Sequence, residues 1–97
     1  MEEVQVKIDE NGEGAFLIFE ENEELGQLIV SIAGNEITAH HTEVFPGGEG
    51  KGLGKLLLAE LAAYARKNGL KIQALCPFVH GQFKRHPNEY SDIWQVE

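Results

Sequence analysis

The residues best suited to chemistry lie in the glycine-rich stretch 47–55, which contains five glycines and two lysines. Glycine leaves backbone N–H groups accessible to a ligand, and a strong helical pattern begins at Leu53. A helix N-terminus carries about half a positive charge. The loop and the helix start together predict a cradle for an anion such as a diphosphate. The alternative interpretation is a flexible glycine turn with no ligand.

The glycine-rich stretch does not match the two common nucleotide-binding motifs. A Walker A loop would need glycine where Glu49 stands and a hydroxyl side chain where Leu56 stands. A dinucleotide GxGxxG motif would need its third glycine where Lys55 or Leu57 stands. The sequence therefore excludes both classes of nucleotide site.

Three polar side chains ahead of this stretch could act as bases: His40, His41 and Glu43. Histidine titrates near neutral pH, which suits proton transfer. Successive side chains of a strand point to opposite faces, so at most one of the two histidines would face a substrate, and Glu43 would share the face of His41. The alternatives are a histidine bound to backbone or solvent and a solvated carboxylate.

Cys76 is the single cysteine of the chain, which excludes an intramolecular disulfide and a four-thiolate zinc site. Its thiol could act as a nucleophile, and the alternative is that it packs as a small hydrophobic side chain. The histidines and Cys76 match no regular metal-ligand spacing. So few cysteines are typical of a reducing compartment, and we expect a cytoplasmic location.

These residues must be positioned by one small domain, because the chain has 97 residues, all of which (1–97) we assign to it. Hydrophobic residues make up 42% and charged residues 25%, an ordinary globular balance. The net charge of −8 disfavours nucleic acid and anionic membranes as partners. A soluble monomer or weak homodimer is expected, with positively charged partners.

Alternating hydrophobicity predicts four consecutive strands before the glycine-rich stretch, at about 4–8, 15–19, 27–33 and 37–44. Turn residues separate them, which favours an antiparallel meander. The acidic run 20–24 is predicted to be a solvated turn that could attract a positively charged partner.

The hydrophobic period then changes to that of a helix ending at about Asn68. The predicted buried stripe comprises Leu53, Leu56, Leu57, Leu61, Tyr64 and Ala65. Residues 70–76 are predicted to form a strand parallel to the fourth strand. Residues 80–85 are predicted to form a short helix. The predicted fold class is α/β, with a mixed, mostly antiparallel sheet in which a β-meander is followed by strand, loop, helix and strand.

The segment Glu49-Gly50-Lys51-Gly52-Leu53-Gly54 resembles the acetyl-CoA signature of the GNAT superfamily of N-acetyltransferases. That signature is Gln or Arg, two residues, Gly, one residue, then Gly or Ala, and this chain departs from it by carrying Glu49. The segments His41-Thr42-Glu43-Val44 and Cys76-Pro77-Phe78 are similar to the short single-domain branch of about 100 residues. The resemblance implies a minimal GNAT-like fold.

The resemblance also implies acetyl-CoA as cosubstrate and a primary amine as acceptor, and the irregular ligand spacing noted above leads us to expect no metal. The pantetheine arm of acetyl-CoA would pair with the backbone where the fourth and fifth strands diverge. The pyrophosphate of acetyl-CoA would bind the amides of the loop, and Lys51 and Lys55 would add contacts to it. The residues so implied for cofactor binding are Thr42, Glu43, Val44, Glu49, Gly50, Lys51, Gly52, Leu53, Gly54 and Lys55.

Among the catalytic candidates the resemblance favours His41 as the base. Glu43 is a second candidate base, and Cys76 is a candidate nucleophile. The aromatic hydroxyl that many relatives place near the coenzyme sulfur is missing, since Gln82 and Phe83 stand in that region. We therefore expect an N-acetyltransferase that works by direct attack of the amine. The alternative is a non-catalytic acyl-CoA-binding or interaction module. A scavenging enzyme with little acceptor selectivity is a third hypothesis, because a short chain has few residues to enclose an acceptor.

Overall fold

The computed structural model describes residues 2–96. In chain order its elements are β1 (Glu2–Ile8), β2 (Glu13–Glu20), β3 (Glu23–Ala33), β4 (Glu36–Val44), α1 (Leu53–Asn68), β5 (Lys71–Ala74), α2 (Pro77–Arg85) and α3 (Pro87–Tyr90). No helix among residues 2–96 is both long and apolar enough to cross a membrane.

The five strands form one sheet in the order β1-β2-β3-β4-β5. Neighbouring strands from β1 to β4 are antiparallel, and β5 returns parallel to β4 after the crossover through α1. This arrangement confirms the predicted fold class, with a meander followed by strand, loop, helix and strand.

The turn between β2 and β3 is tighter than the acidic run suggested. Only Glu21 and Asn22 lie between the two strands, and both adopt positive φ angles of 50° and 73°. Two-residue turns of this kind match the twist of antiparallel strands. The prediction of a five-residue solvated turn was therefore wrong, because Glu20 still belongs to β2 and Glu23 already begins β3.

The hydrophobic core lies between α1 and one face of the sheet. Phe16, Leu28 and Ile37 contribute fully buried side chains from successive strands. These large apolar groups alternate with more exposed ones along each strand, so the opposite face of the sheet is turned away from α1. We refer to this second surface as the outer face.

The helix α1 buries a slightly different stripe from the predicted one. Leu53, Leu57, Leu61 and Ala65 are buried as expected, but Leu56 is 41% exposed. Leu58 and Ala62 are buried instead. A tertiary contact accounts for the burial of Leu58. The ring of Phe78 on α2 lies against Gly54, one turn before Leu58, so the buried surface of α1 extends towards α2.

The fifth strand is shorter than the predicted 70–76. It pairs with β4 only from Glu36 to Ala39, and it ends at Ala74. Beyond that point the N–H groups of Leu75 and Cys76 both donate to the carbonyl oxygen of Ala39, at 3.1 and 2.9 Å. The chain therefore turns away from β4 and enters α2 at Pro77, three residues earlier than predicted.

The segment after α3 is fastened to the C-terminal end of α1. The guanidinium of Arg66 donates hydrogen bonds to the Asp92 carboxylate, at 2.9 and 3.1 Å, and to the carbonyl oxygen of Glu89 at 2.8 Å. The hydrogen bonds from Arg66 hold the pKa of Asp92 below its ordinary value of 3.8. Folding therefore favours the ionised form of Asp92.

This ion pair predicts a specific acid dependence of stability. Because the folded pKa of Asp92 is lowered, the stabilisation is fully present above the unfolded value near 3.8 and is lost as the pH falls through the folded value. We expect Asp92→Asn to lower Tm at neutral pH and the difference from wild type to vanish in acid. Glu60→Gln, on the exposed side of α1, is the control. A difference independent of pH would contradict this assignment.

Candidate functional site

A cavity of about 400 Å³ opens between the end of β4 and the loop that leads into α1. Its lining residues are Thr42, Val44, Gly48, Glu49, Gly50, Gly52, Leu53, Gly54 and Phe78. The strand end and the glycine-rich stretch that the sequence pointed to therefore face one shared space, which we refer to as the loop cavity.

The backbone of the loop is shaped for close approach of a ligand. Gly47, Gly50 and Gly52 have φ angles of 97°, 79° and 70°, a left-handed conformation that side chains disfavour. Gly52 is the N-cap of α1 and offers no side-chain cap, and the first turn carries no acidic residue. The first N–H groups of α1 thus keep their capacity to bind an anion.

Two lining residues were absent from the predicted binding set. Gly48 is buried, and a Cβ atom there would come within 2.8 Å of the Leu53 side chain and 3.0 Å of the Leu25 carbonyl oxygen. Phe78 also lines the cavity, and its ring lies against Gly54. Phe78 belongs to the Cys-Pro-Phe segment noted in the sequence, so its signal was present, whereas Gly48 had none beyond the glycine content.

The charged residues of the loop are arranged differently from the prediction. Lys51 donates to a carboxylate oxygen of Glu20 at 2.7 Å, an exposed pair that raises the pKa of Lys51 and lowers that of Glu20. Glu49 lines the cavity and accepts from the Gly47 amide at 3.4 Å. The lysine contacts expected from the resemblance are therefore not seen at the cavity wall, since neither Lys51 nor Lys55 lines the loop cavity.

The fourth strand contains a β-bulge just before the cavity. Ile29 lies opposite His41 and Val30 opposite Ala39, so His40 is an extra residue with no counterpart on β3. The bulge shifts the alternation by one residue. The prediction that His40 and His41 point to opposite faces was therefore wrong: His40 contacts the Ser31 hydroxyl at 2.7 Å, and Ser31 and His41 both lie on the outer face.

His41 and Glu43 form an exposed pair on the outer face. The imidazole Nε2 lies 3.8 Å from a carboxylate oxygen of Glu43, and the two side chains are 58% and 50% exposed. The alternating residues Thr42 and Val44 point instead to the loop cavity. The predicted bases and the cavity thus occupy the two faces of the same strand end, and the Glu43 side chain does not line the cavity.

Cys76 lies at the inner side of this strand end. Its thiol is buried, with 2% of the residue exposed, and its Sγ is 3.2 Å from the Thr42 hydroxyl. Thr42 therefore links the thiol to the loop cavity. Within residues 2–96 no three or more His, Cys, Asp or Glu side chains gather as a metal site would require.

The open edge of β4 completes the site. Because β5 pairs only as far as Ala39, no strand formed by residues 2–96 lies beside residues 40–44 on the side away from β3. The backbone polar groups on that edge can hydrogen bond to an extended ligand, as an added strand would. The edge runs directly into the loop cavity, so one elongated molecule can contact both.

No aromatic hydroxyl reaches this region from α3. Tyr90 is buried, its ring lies 4.6 Å from that of Phe83, and burial raises its pKa. Tyr90 directly follows Glu89, whose carbonyl oxygen accepts a hydrogen bond from Arg66, and it therefore lies near the C-terminal end of α1. That end is about 20 Å along the helix from the loop cavity, at 1.5 Å per residue.

The strand order, the bulge in β4, the gap beside it and the glycine-rich loop before α1 define an acyl-CoA N-acyltransferase fold. Residues 5–93 match the family model described as GCN5-related N-acetyl-transferase. The chain belongs to this family, and N-acetyltransferase activity is the activity that the family supports. A search of curated proteins found no significant match.

Solved structures agree with this assignment. A GCN5-like candidate N-acetyltransferase from Staphylococcus aureus, determined by NMR, is 34% identical over 96% of this chain and 90% of its own, with a TM-score of 0.67. A ribosomal-protein-alanine N-acetyltransferase from Brucella melitensis shares the fold at 19% identity, over 91% of this chain and 65% of its own, with a TM-score of 0.65. Nourseothricin acetyltransferase is 25% identical over 70% of this chain and 42% of its own, with a TM-score of 0.54.

Proposed function

We propose that the protein transfers the acetyl group of acetyl-CoA to a primary amine. The observation that carries this proposal is the continuity between the open edge of β4 and the loop cavity at the start of α1. A diphosphate attached to a long polar arm has the chemistry to fill both. The acceptor is an amine, and the net charge of −8 favours one that is positively charged. The protein is proposed to be a cytoplasmic monomer or weak homodimer.

The chain contributes mainly backbone groups to the cosubstrate. The amides of residues 49–55 bind the pyrophosphate, because glycine conformations and the uncapped helix start leave donors available there. The backbone of Thr42 to Val44 binds the pantetheine arm at the strand edge that β5 leaves open. Lys55 contributes positive charge near the cavity rather than forming its wall, whereas the charge of Lys51 is balanced by Glu20.

The transfer step needs an unprotonated amine and a polarised thioester. The amine nitrogen attacks the thioester carbon, the C–S bond breaks, and the CoA thiolate leaves and takes up a proton. His41 accepts the proton that the amine loses, and Glu43 beside it attracts a cationic acceptor to the outer face. A backbone N–H at the open edge stabilises the oxyanion.

We assign Cys76 to packing rather than to covalent catalysis. Its thiol is buried in the hydrophobic core, and its Sγ lies 3.2 Å from the Thr42 hydroxyl oxygen. A thioester is already an activated acyl donor, so passing the acetyl group to a second thiol lowers the barrier to amine attack very little. Direct attack in a complex of protein, acetyl-CoA and amine is therefore the simpler mechanism.

The second candidate function is acyl-CoA binding without turnover. It is favoured by one observation, the carboxylate of Glu49 in the wall of the loop cavity, where the family signature has Gln or Arg. The distance of Tyr90 from the cavity is consistent with it. The two functions make the same prediction for cosubstrate binding and differ in whether CoA is released when amines are added.

Cosubstrate binding is tested by thermal unfolding with acetyl-CoA, CoA and ATP. A ligand that binds only the folded state stabilises it by about 2.7 kcal/mol at a hundred times its Kd. We expect acetyl-CoA and CoA to raise Tm and ATP to raise it much less, because ATP has no arm to pair with the edge of β4. Equal shifts with ATP would contradict the placement of the pantetheine arm.

A further inference from the structure

A second cavity, of about 660 Å³, lies on the other side of β5 from β4. It is bounded by the end of β5, by α2 and by the C-terminal segment 94–96, and it shares no lining residue with the loop cavity. Its volume falls within the range of about 300–1,000 Å³ that is usual for small-molecule sites. We refer to it as the tail cavity.

The walls of the tail cavity are held by backbone hydrogen bonds. The N–H of Ile72 donates to the carbonyl oxygen of Ile93 at 2.6 Å, and the N–H of Gln95 donates to the carbonyl oxygen of Ile72 at 2.8 Å. The segment that carries Trp94 therefore runs beside β5 as a short parallel bridge. These backbone hydrogen bonds therefore fix the segment that carries Trp94 as one wall of the cavity.

The tail cavity combines an apolar floor with two basic side chains. Leu75, Pro77 and Trp94 line it, and Leu75 is 55% exposed although it is a large aliphatic residue. His80 and Lys84 line it from α2, four residues apart and thus on one side of that helix. Lys84 has no ion-pair partner within the described range 2–96, and no acidic side chain of that range lines the cavity.

We propose that the tail cavity binds a small monoanion with an aromatic or branched aliphatic body, such as an aromatic carboxylic acid. The apolar body packs on Leu75 and Trp94, and the carboxylate meets Lys84 and the His80 ring, which already contacts Trp94 edge-on at 5.8 Å between ring centroids. The residues around the cavity favour an anion although the whole chain has a net charge of −8. Lys84 and His80 face its apolar surface, and no carboxylate among residues 2–96 lines it. This site is independent of the acetyl-CoA proposal.

The test uses Trp94, which is the single tryptophan of the chain and lies in the cavity wall. The full chain is titrated with 3-phenylpropanoate, with its neutral isostere 3-phenylpropanamide and with the cation 3-phenylpropylamine, exciting tryptophan selectively. We expect the carboxylate to change the fluorescence saturably and to bind at least about tenfold more tightly than the amide or the amine, a difference of 1.4 kcal/mol.

Charge-matched variants locate the site. Lys84→Glu is expected to weaken binding of 3-phenylpropanoate at least about tenfold, whereas Lys67→Glu, which makes the same change of net charge on the exposed last turn of α1, leaves it unchanged. Equal loss in both variants, tighter binding of the amine, or no saturable change in fluorescence or in the Trp94 indole N–H resonance would overturn the proposal. A dimer that buries Trp94 and excludes the carboxylate would overturn it as well.

Discussion

Gly52→Asp is expected to weaken acetyl-CoA binding at least about thirtyfold while the domain remains folded. Gly52 caps α1 in a left-handed conformation with φ of 70°, and an added Cβ would meet nothing within 4 Å. Asp tolerates this conformation better than most residues. Its carboxylate would stand at the helix start, where the diphosphate is proposed to bind, so the loss comes from charge repulsion and is measured by titration calorimetry.

Gly52→Asn is the matched control, because it has the same shape and the same tolerance of positive φ but no charge. We expect it to retain most of the affinity that Gly52→Asp loses. Gly54→Asp is a poorer test, since a side chain there would press on the Phe78 ring, 3.1 Å from the Cβ position. If Gly52→Asp bound acetyl-CoA as wild type does, the diphosphate would not lie against this loop.

His41→Ala is expected to lower kcat by about 100-fold or more, the usual scale for removing a general base. His41 lies on the outer face beside the open edge of β4, so its loss leaves the loop cavity unchanged. Acetyl-CoA affinity is therefore expected to stay within about twofold of wild type.

His40→Ala provides the comparison within the same strand. His40 is the bulged residue, its imidazole contacts the Ser31 hydroxyl at 2.7 Å, and it shares the outer face with His41. We expect a much smaller effect on kcat than for His41→Ala. Should His40→Ala lose as much rate as His41→Ala, or should His41→Ala keep the rate of wild type, His41 would not be the base.

Much of the fold follows from local pattern, and the deviations arise from tertiary contacts. The strand order and the helix 53–68 were confirmed, because alternation, the change of period at Leu53 and Gly69 as left-handed cap are all local signals. The burial of Leu58 was not predictable, since it depends on where α2 packs. The early end of β5 also depends on a tertiary contact, the two hydrogen bonds to the Ala39 carbonyl oxygen.

The same distinction applies to the candidate site. The glycine-rich stretch and Thr42 to Val44 were identified from sequence, and most of them line one cavity. The bulge at His40 has no sequence signature, yet it decides which face His40 occupies. The partners of Lys51 and Glu49 were not predictable either. Each depends on a turn geometry or on a residue such as Glu20, about thirty positions away.

The central claim, direct acetyl transfer, is tested most directly by measuring release of the CoA thiol from acetyl-CoA with and without a broad panel of primary amines, with the intact protein mass recorded in parallel. We expect release only with an amine, in step with N-acetylated product, no acetyl mass on the protein, and most of the rate retained in Cys76→Ala. Saturable binding of acetyl-CoA with no release for any amine, or an acetylated Cys76 that passes its acetyl group to amine, would contradict the account.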